Sequence, residues 1–177
     1  MTAAPAGLAG EPPASRTLAD ILLERSADAD VVAAMTTVAS IQRVAMRLRR
    51  HLEQGVLKDS DLTWSGFMVL CVLWLYGELQ TRYIAAEVGV NRSTLSGVLT
   101  TLERRGLLSR CGHDVDGRLV LVALTGAGRS LVEKVAPAIG AAQLSVVSPL
   151  QPDSMRRLDD ALRSIEQRLA PAEENPS

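Results

Sequence analysis

The run "RCGHDVDGRLVLVALT", Arg110 to Thr125, brings Cys111, His113, Asp114 and Asp116 together and places Arg118 just beyond them. Thiol, imidazole and carboxylates are the donor set of a metal site. Structural zinc, however, usually takes two ligand pairs from separate elements, and His51 is the only other histidine. A calcium loop aligned on Gly117 would start at Gly112 and end at Ala123, where a bidentate Glu is required. No metal and no other cofactor is expected. Covalent catalysis needs an activated nucleophile beside a positioned base. The chain has no Gly-x-Ser-x-Gly elbow, no phosphate-cradling glycine loop and no HExxH, so an enzyme is not expected. Cys111 follows Arg110 in a turn expected to be exposed, which could favour a reactive thiolate, whereas Cys71 lies in the apolar stretch "MVLCVLWLY". Two cysteines do not make a disulfide framework, and their simplest reading is incidental. What remains of the run is Arg118 and a turn to hold it.

The residues before that turn carry more information. In "TRYIAAEVGVNRSTLSGVLTTLERRGLL", Ile84, Ala85 and Val88 form the inner face of a short helix. Gly89 stands where the chain must leave it through a left-handed residue. Asn91 is a good N-cap for the next helix. There Leu95, Val98, Leu99 and Leu102 recur at helical spacing and form one buried stripe. The opposite face presents Arg92, Ser93, Thr94, Ser96, Gly97, Thr100, Thr101 and Arg104. Small Ala85 at the crossing, Gly89 four positions on, then Leu95 and Val98 satisfy the packing needs of a helix-turn-helix. A second helix with small hydroxyl residues and Gly outward can lie deep in a major groove, its hydroxyls meeting phosphates or base edges. Gly97 lowers helix stability relative to Ala, a cost that a purely structural helix has little reason to carry. The strand after Gly106, the "CGHDVDG" turn and the strand "RLVLVALT" then make a two-stranded hairpin. Together these are a winged helix-turn-helix, whose wing normally reaches the adjacent minor groove.

Elements to either side must hold this lobe. A helix is expected from about Asp28 to Glu53, with Val31, Ala34, Val38, Ile41, Ala45, Leu48 and Leu52 in a narrow stripe. Met155, Leu158, Leu162, Ile165 and Leu169 repeat that rhythm near the other end. A third helical stretch, Thr125 to Val147, has Leu131, Val135, Ile139 and Ala142 on one face and a bend or restart expected at Pro137. Such stripes suit packing of the terminal helices either within one chain or across two. The short amphipathic piece "TLADILLER" precedes them.

Bulk properties agree with a soluble globular protein: 177 residues, 47% hydrophobic and 22% charged. Aromatics at 3% argue against a base-stacking groove. The net charge of −1 hides a division, because residues 78–134 hold eight Lys/Arg against six Asp/Glu while both flanks are net acidic. That excess is too small to decide anything alone. The start "MTAAPAGLAGEPPAS" lacks the pattern of a secretory signal, and the apolar run Gly66 to Tyr76 is too short for a bilayer. A cytoplasmic location and no membrane partner are expected.

From "LTWSGFMVL" at Leu62, through "LERRGLLSR", to Asp116, Arg118 and "LTGAG", the chain resembles the MarR family of multiple-antibiotic-resistance-type regulators. The match is close over residues 62–128, and the flanking helices agree in kind and order. The family usually carries an acidic pair followed by two arginines in the wing. This chain has "VDGR", with Val115 for the first acid and Gly117 for the first arginine. The resemblance implies a mainly α fold with a small β hairpin (α+β), a winged helix-turn-helix lobe between N- and C-terminal dimerisation helices. It implies a homodimer binding a near-palindromic DNA operator, with a small aromatic effector that weakens binding. Peroxide-sensing members have their reactive cysteine near the chain start, and residues 1–70 contain none.

The organisation expected is a flexible arm at 1–16, N-terminal dimerisation helices at 17–61, the DNA-binding lobe at 62–125, C-terminal dimerisation helices at 126–170 and a flexible tail at 171–177. DNA is expected to meet Arg82, Asn91, Arg92, Ser93, Thr94, Ser96, Thr100, Arg104, Arg110 and Arg118, with Asp116 bracing Arg118. Of these, Arg82, Arg104 and Arg110, together with Arg105, are candidates for backbone contacts or for ion pairs with Glu103 and Glu87. Val38, Ile41, Leu48, Leu158, Leu162 and Ile165 are expected in the dimer contact. A family ligand cleft could use Trp64 and Met68 as lining and Arg47 or His51 for an anion, although Trp64 and Met68 equally suit a plain core. The function expected is a sequence-specific transcriptional repressor released by an aromatic or phenolic ligand. The alternatives are a winged-helix protein-interaction module without specific DNA binding, and a thiol-based redox sensor using Cys111.

Overall fold

The computed structural model describes residues 28–113 and 116–169, with side chains described outside 112–119. The expected arm, the piece Thr17–Arg25 and the tail 171–177 lie outside the described residues. The chain divides into two compact units at the junction of His51 and Leu52.

Helix α1, Ala29–Gln54, supplies the first unit and crosses into the second. Asp28 caps it, its Oδ1 accepting from the amides of Asp30 (3.0 Å) and Val31 (3.2 Å). On this helix Val31, Met35 and Val38 stay about half exposed, at 47%, 49% and 53%. Ile41 and Leu48 are half-buried, and Leu52 is fully buried.

In the second unit, a 3₁₀ turn (Lys58–Ser60) leads through Asp61, in the left-handed region at φ 49°, to α2 (Trp64–Tyr76). Helix α2 is apolar on nearly every side because it is the hub: Phe67, Val69, Leu70, Val72 and Leu73 are all buried. Its first amides are satisfied twice over. Thr63 Oγ1 accepts from Gly66 (3.1 Å), and Glu53 Oε1 reaches back to accept from the Trp64 amide (2.7 Å).

Strand β1 (Leu79–Gln80), α3 (Thr81–Val88) and α4 (Arg92–Arg104) follow, then β2 (Leu108–His113) and β3 (Asp116–Leu124). The sheet is antiparallel in the order β1-β3-β2, with Leu79 opposite Val122 and Leu108 opposite Leu124. It differs from the expected hairpin in two respects. Two residues of β1 add a third strand, too short to show any alternation in sequence. The seven-residue "CGHDVDG" turn is also much shorter than expected, since β2 runs on through His113 and β3 begins at Asp116, with a pairing irregularity at Gly112/His113. Backbone pairing there prevails over the turn-forming character of Gly and Asp.

Helix α5 (Gly126–Val147) buries Val132, Val135 and Ile139. It passes through Pro137 without a break in assignment. Pro137 and Glu133 are both exposed, so the carbonyl that loses its amide partner can take water. Its start is bolted to the end of α4. Thr125 Oγ1 donates to Gly106 O (2.6 Å) and accepts from the Gly128 amide (3.1 Å), while the Thr125 amide donates to Leu107 O (3.2 Å). A Cβ on Gly128 would stand 1.9 Å from Leu107 O, so only glycine fits. Helix α6 (Pro152–Leu169) is the last described element and has no buried residue, its stripe of Leu158, Leu162 and Ile165 exposed at 48%, 39% and 39%.

Candidate nucleic-acid interface

The helix-turn-helix forms as its residue pattern dictates. Ile84 and Ala85 are buried on α3, and Gly89 ends it in the left-handed region (φ 68°, ψ 35°) with its amide returned to the helix. Val90 donates to Ala85 O (3.1 Å), which closes the turn. Asn91 then caps α4, its Oδ1 accepting from the Thr94 amide (2.8 Å) and the Ser93 hydroxyl (2.7 Å). Leu95, Leu99 and Leu102 are 1–2% exposed, and Val98 is half-buried. That burial orients everything else: Arg92, Ser93, Thr94, Ser96, Gly97, Thr100, Thr101 and Arg104 are all exposed.

The exposed face is low and polar. Space around Gly97 is open to any Cβ, so its lack of a side chain answers no packing need within the chain. Thr100 and Thr101 donate their hydroxyls to the carbonyls of Ser96 (2.9 Å) and Gly97 (3.0 Å), leaving their oxygens as acceptors. Two grooves flank the helix. One, of about 350 Å³, runs along Thr94, Gly97, Val98 and Thr101 toward Arg105 and Asp61. The other, of about 180 Å³, brings Arg92, Ser96 and Arg110 together with Thr81 and Val120.

The cations expected at this surface differ in how they are held. Arg92 and Arg104 are exposed on α4. Arg82 lies over the Tyr83 ring at 4.7 Å and donates to its hydroxyl (3.1 Å). Arg110 is a brace between β2 and α4, since its Nη2 lies 2.9 Å from Glu103 Oε2 and 2.9 Å from Thr100 Oγ1. Its Nε is buried without a hydrogen-bond partner. The ion pair ties the wing's first strand to the exposed helix. Asp116 and Arg118 lie on β3 by backbone, and their side chains fall outside the described residues.

The remaining candidates are distributed between the units. Trp64 and Met68 are half-buried on α2, and the Trp64 ring lies 5.7 Å from that of Phe67. Arg47 and His51 are exposed on α1, in the first unit. Cys111 is exposed, whereas burial pushes the Cys71 thiol up to about 11, away from thiolate chemistry near neutral pH. Sequence reasoning missed the Glu53 cap and the Gly128 contact. "TGAG" hinted at the second, because a small residue directly after an N-cap often marks a close approach. Glu53 gave no local signal, being eleven residues from the amide it satisfies.

Residues 62–120 match the MarR family. The HTH-type transcriptional regulator YwaE of Bacillus subtilis is 31% identical over 136 residues, covering 77% of this chain and 80% of that protein. The chain belongs to the MarR family. It is a DNA-binding transcriptional regulator with a winged helix-turn-helix, not an enzyme. Among solved structures, BpsR of Bordetella bronchiseptica, whose DNA binding is regulated by 6-hydroxynicotinic acid, superposes with a TM-score of 0.69. It shares 29% identity, over 74% of this chain and 98% of that one. PcaV of Streptomyces coelicolor, solved with its natural ligand, superposes at 0.62 with 27% identity, over 70% and 89% of the two chains. The sheet, the helix pair and the capped α4 are thus this chain's version of a MarR-family DNA-binding lobe.

Proposed function

We propose that this MarR-family protein is a cytoplasmic homodimeric repressor that reads a near-palindromic operator and leaves it on binding a small aromatic acid or phenol. The observation that carries the reading is a pairing of two exposed surfaces. A hydroxyl- and arginine-bearing face covers α4, while Val31, Met35 and Val38 on α1 stay 47–53% exposed and Leu158, Leu162 and Ile165 on α6 stay 39–48% exposed in the single chain. Val38, Ile41 and Leu48 on α1, with Leu158, Leu162 and Ile165 on α6, form the proposed contact between copies. Residues 17–61 and 126–170 are then dimerisation segments around a lobe at 62–125. Two lobes spaced about one helical turn apart would read an inverted repeat.

In this mechanism α4 enters the major groove. Arg92, Ser93, Thr94, Ser96 and Thr100 are nearest to bases and phosphates, beside the Asn91 cap, with Arg82, Arg104 and Arg110 toward the backbone. Arg118 on the wing enters the minor groove, and Asp116 holds it extended through a charged hydrogen bond. An effector acts by binding more tightly to a dimer whose lobes are wrongly spaced for DNA. The ligands of BpsR and PcaV support an effector site, for which Trp64, Met68, Arg47 and His51 are the residues proposed.

The test is a gel shift of the full chain with duplex DNA from upstream of its own gene. Binding is expected to fall steeply as salt rises from about 50 to about 200 mM, as counterion release requires, and a flat response would remove phosphate contact from the mechanism. Arg118→Ala is expected to cost roughly 1–3 kcal/mol of binding with the melting temperature unchanged. Asp116→Ala is expected to cost nearly as much alone and almost nothing in an Arg118→Ala background, whereas additive losses would reject the bracing role.

A further inference from the structure

The C-cap of α4 is Arg105, and its side chain does not follow the helix outward. Its guanidinium reaches across to the turn before α2, where Nη1 donates to Asp61 O and Nη2 to Ser60 O, each at 2.6 Å. The two acceptors are successive carbonyls, 44 and 45 positions away in sequence. They belong to the end of the 3₁₀ turn Lys58–Ser60, where carbonyls collect partial negative charge. Asp61 stands at φ 49°, a left-handed conformation uncommon for a residue with a side chain. The chain therefore holds an unusual backbone conformation at the point where one planar cation bridges both carbonyls. A guanidinium fork meets both at a fixed, planar geometry, whereas an ammonium offers its donors from one point on a flexible stem and holds no such angle.

Below the clamp, α2 and α4 are already close, since a Cβ on Gly66 would lie 3.7 Å from Leu102 Cδ2. Apolar contact of that kind sets a distance but resists rotation and sliding poorly. Two parallel charged hydrogen bonds at one end of a helix resist both. The other end of α4 is set by the Asn91 cap and the Gly89 turn; at this end Thr125 and Arg110 tie α4 to α5 and β2, and the clamp adds the tie to the turn before α2.

We propose that Arg105 is a positioning residue for DNA recognition: it locks the C-terminal end of α4 to the Ser60–Asp61 turn and so fixes the angle at which the helix meets the major groove. Although Arg105 is exposed, its donors are committed to two backbone carbonyls of its own chain, and its role is that contact and not a phosphate. The proposal rests on α4 being the recognition helix, and the experiment separates the two ideas.

The full-length protein and its Arg105→Lys, Arg105→Gln and Arg92→Ala variants are titrated, by fluorescence anisotropy, with a duplex from upstream of the gene and with a random duplex of equal length. Titrations are repeated at several salt concentrations, well below each variant's melting temperature. Both Arg105 variants are expected to lose roughly tenfold in affinity for the upstream duplex, the order of one or two charge-assisted hydrogen bonds. Affinity for the random duplex and the salt slope are expected to match the parent protein. A merely stabilising arginine would lower the melting temperature and leave the specific-to-random ratio unchanged, which overturns the proposal. So does a phosphate contact, in which Arg105→Lys retains affinity while Arg105→Gln loses it with a salt slope lower by about 0.9. If Arg92→Ala and the Arg105 variants all bind like the parent, the reading of α4 itself fails. If only Arg92→Ala loses affinity, α4 stands and the positioning role falls.

Discussion

Helices α4 and α6 carry the same kind of pattern, apolar residues at helical spacing with polar residues between, yet they end in opposite states. On α4 the three leucines are 1–2% exposed and determine which side of the helix faces outward. On α6 the apolar residues stay 37–78% exposed, and the helix is held locally by Arg–Asp pairs one turn apart, Arg156 with Asp153 and Arg163 with Asp159. The lobe closes a core from its own residues: α2 contacts α3, α4, α5 and β3 and fills the centre. Amphipathicity therefore marks a face to be covered without saying by what. The leucines of α4 find their cover within the lobe, whereas the stripe of α6 is left exposed among the described residues.

The contrast can be tested from its largest effect downward. Leu99→Ala removes a residue 1% exposed in the lobe and is expected to cost about 2–5 kcal/mol of stability, the same at any protein concentration. Denaturant unfolding at two concentrations checks this, and a loss under about 1 kcal/mol would mean that the lobe is loosely packed. Gly128→Ala forces a methyl against Leu107 O and is expected to cost about 1–3 kcal/mol, with α5 displaced from the end of α4. A melting temperature equal to the parent's would contradict the close approach. Leu162→Ala is expected to leave unfolding of the dilute protein within about 0.5 kcal/mol while weakening self-association. Light scattering across a dilution series reads that directly, and unchanged association would remove α6 from the dimer. The last effect is confined to alkaline pH and concerns Cys71. Its folded pKa is raised to about 11 from the ordinary 9.0, so the unfolded chain loses this proton first as pH rises. Stability is therefore complete below pH 9 and declines between 9 and 11, and Cys71→Ala should flatten that decline. Iodoacetamide is expected to label Cys111 well before Cys71 at pH 8, and the reverse order would place Cys71 outside the core.

Much of the lobe was readable because its signals are local. The Gly89 turn, the Asn91 cap and the leucine stripe of α4 each need only a few consecutive residues. Less of the surface chemistry was readable. Arg82, Arg105 and Arg110 look alike as sequence, yet one stacks on Tyr83, one clamps two carbonyls and one pairs with Glu103. The hairpin turn was read as too long for a related reason, because strand pairing is a contact between segments and overrides the turn preference of a glycine.

Residue order by itself determined the helix pair, the Asn91 cap and the outward face of α4, since each follows from helical spacing and single-residue backbone preferences. Tertiary structure alone decided which arginines are engaged by other groups of the chain. A guanidinium goes to whichever carbonyl or carboxylate the folded chain brings within hydrogen-bond reach, and for Arg105 those acceptors come from residues 44 and 45 positions away.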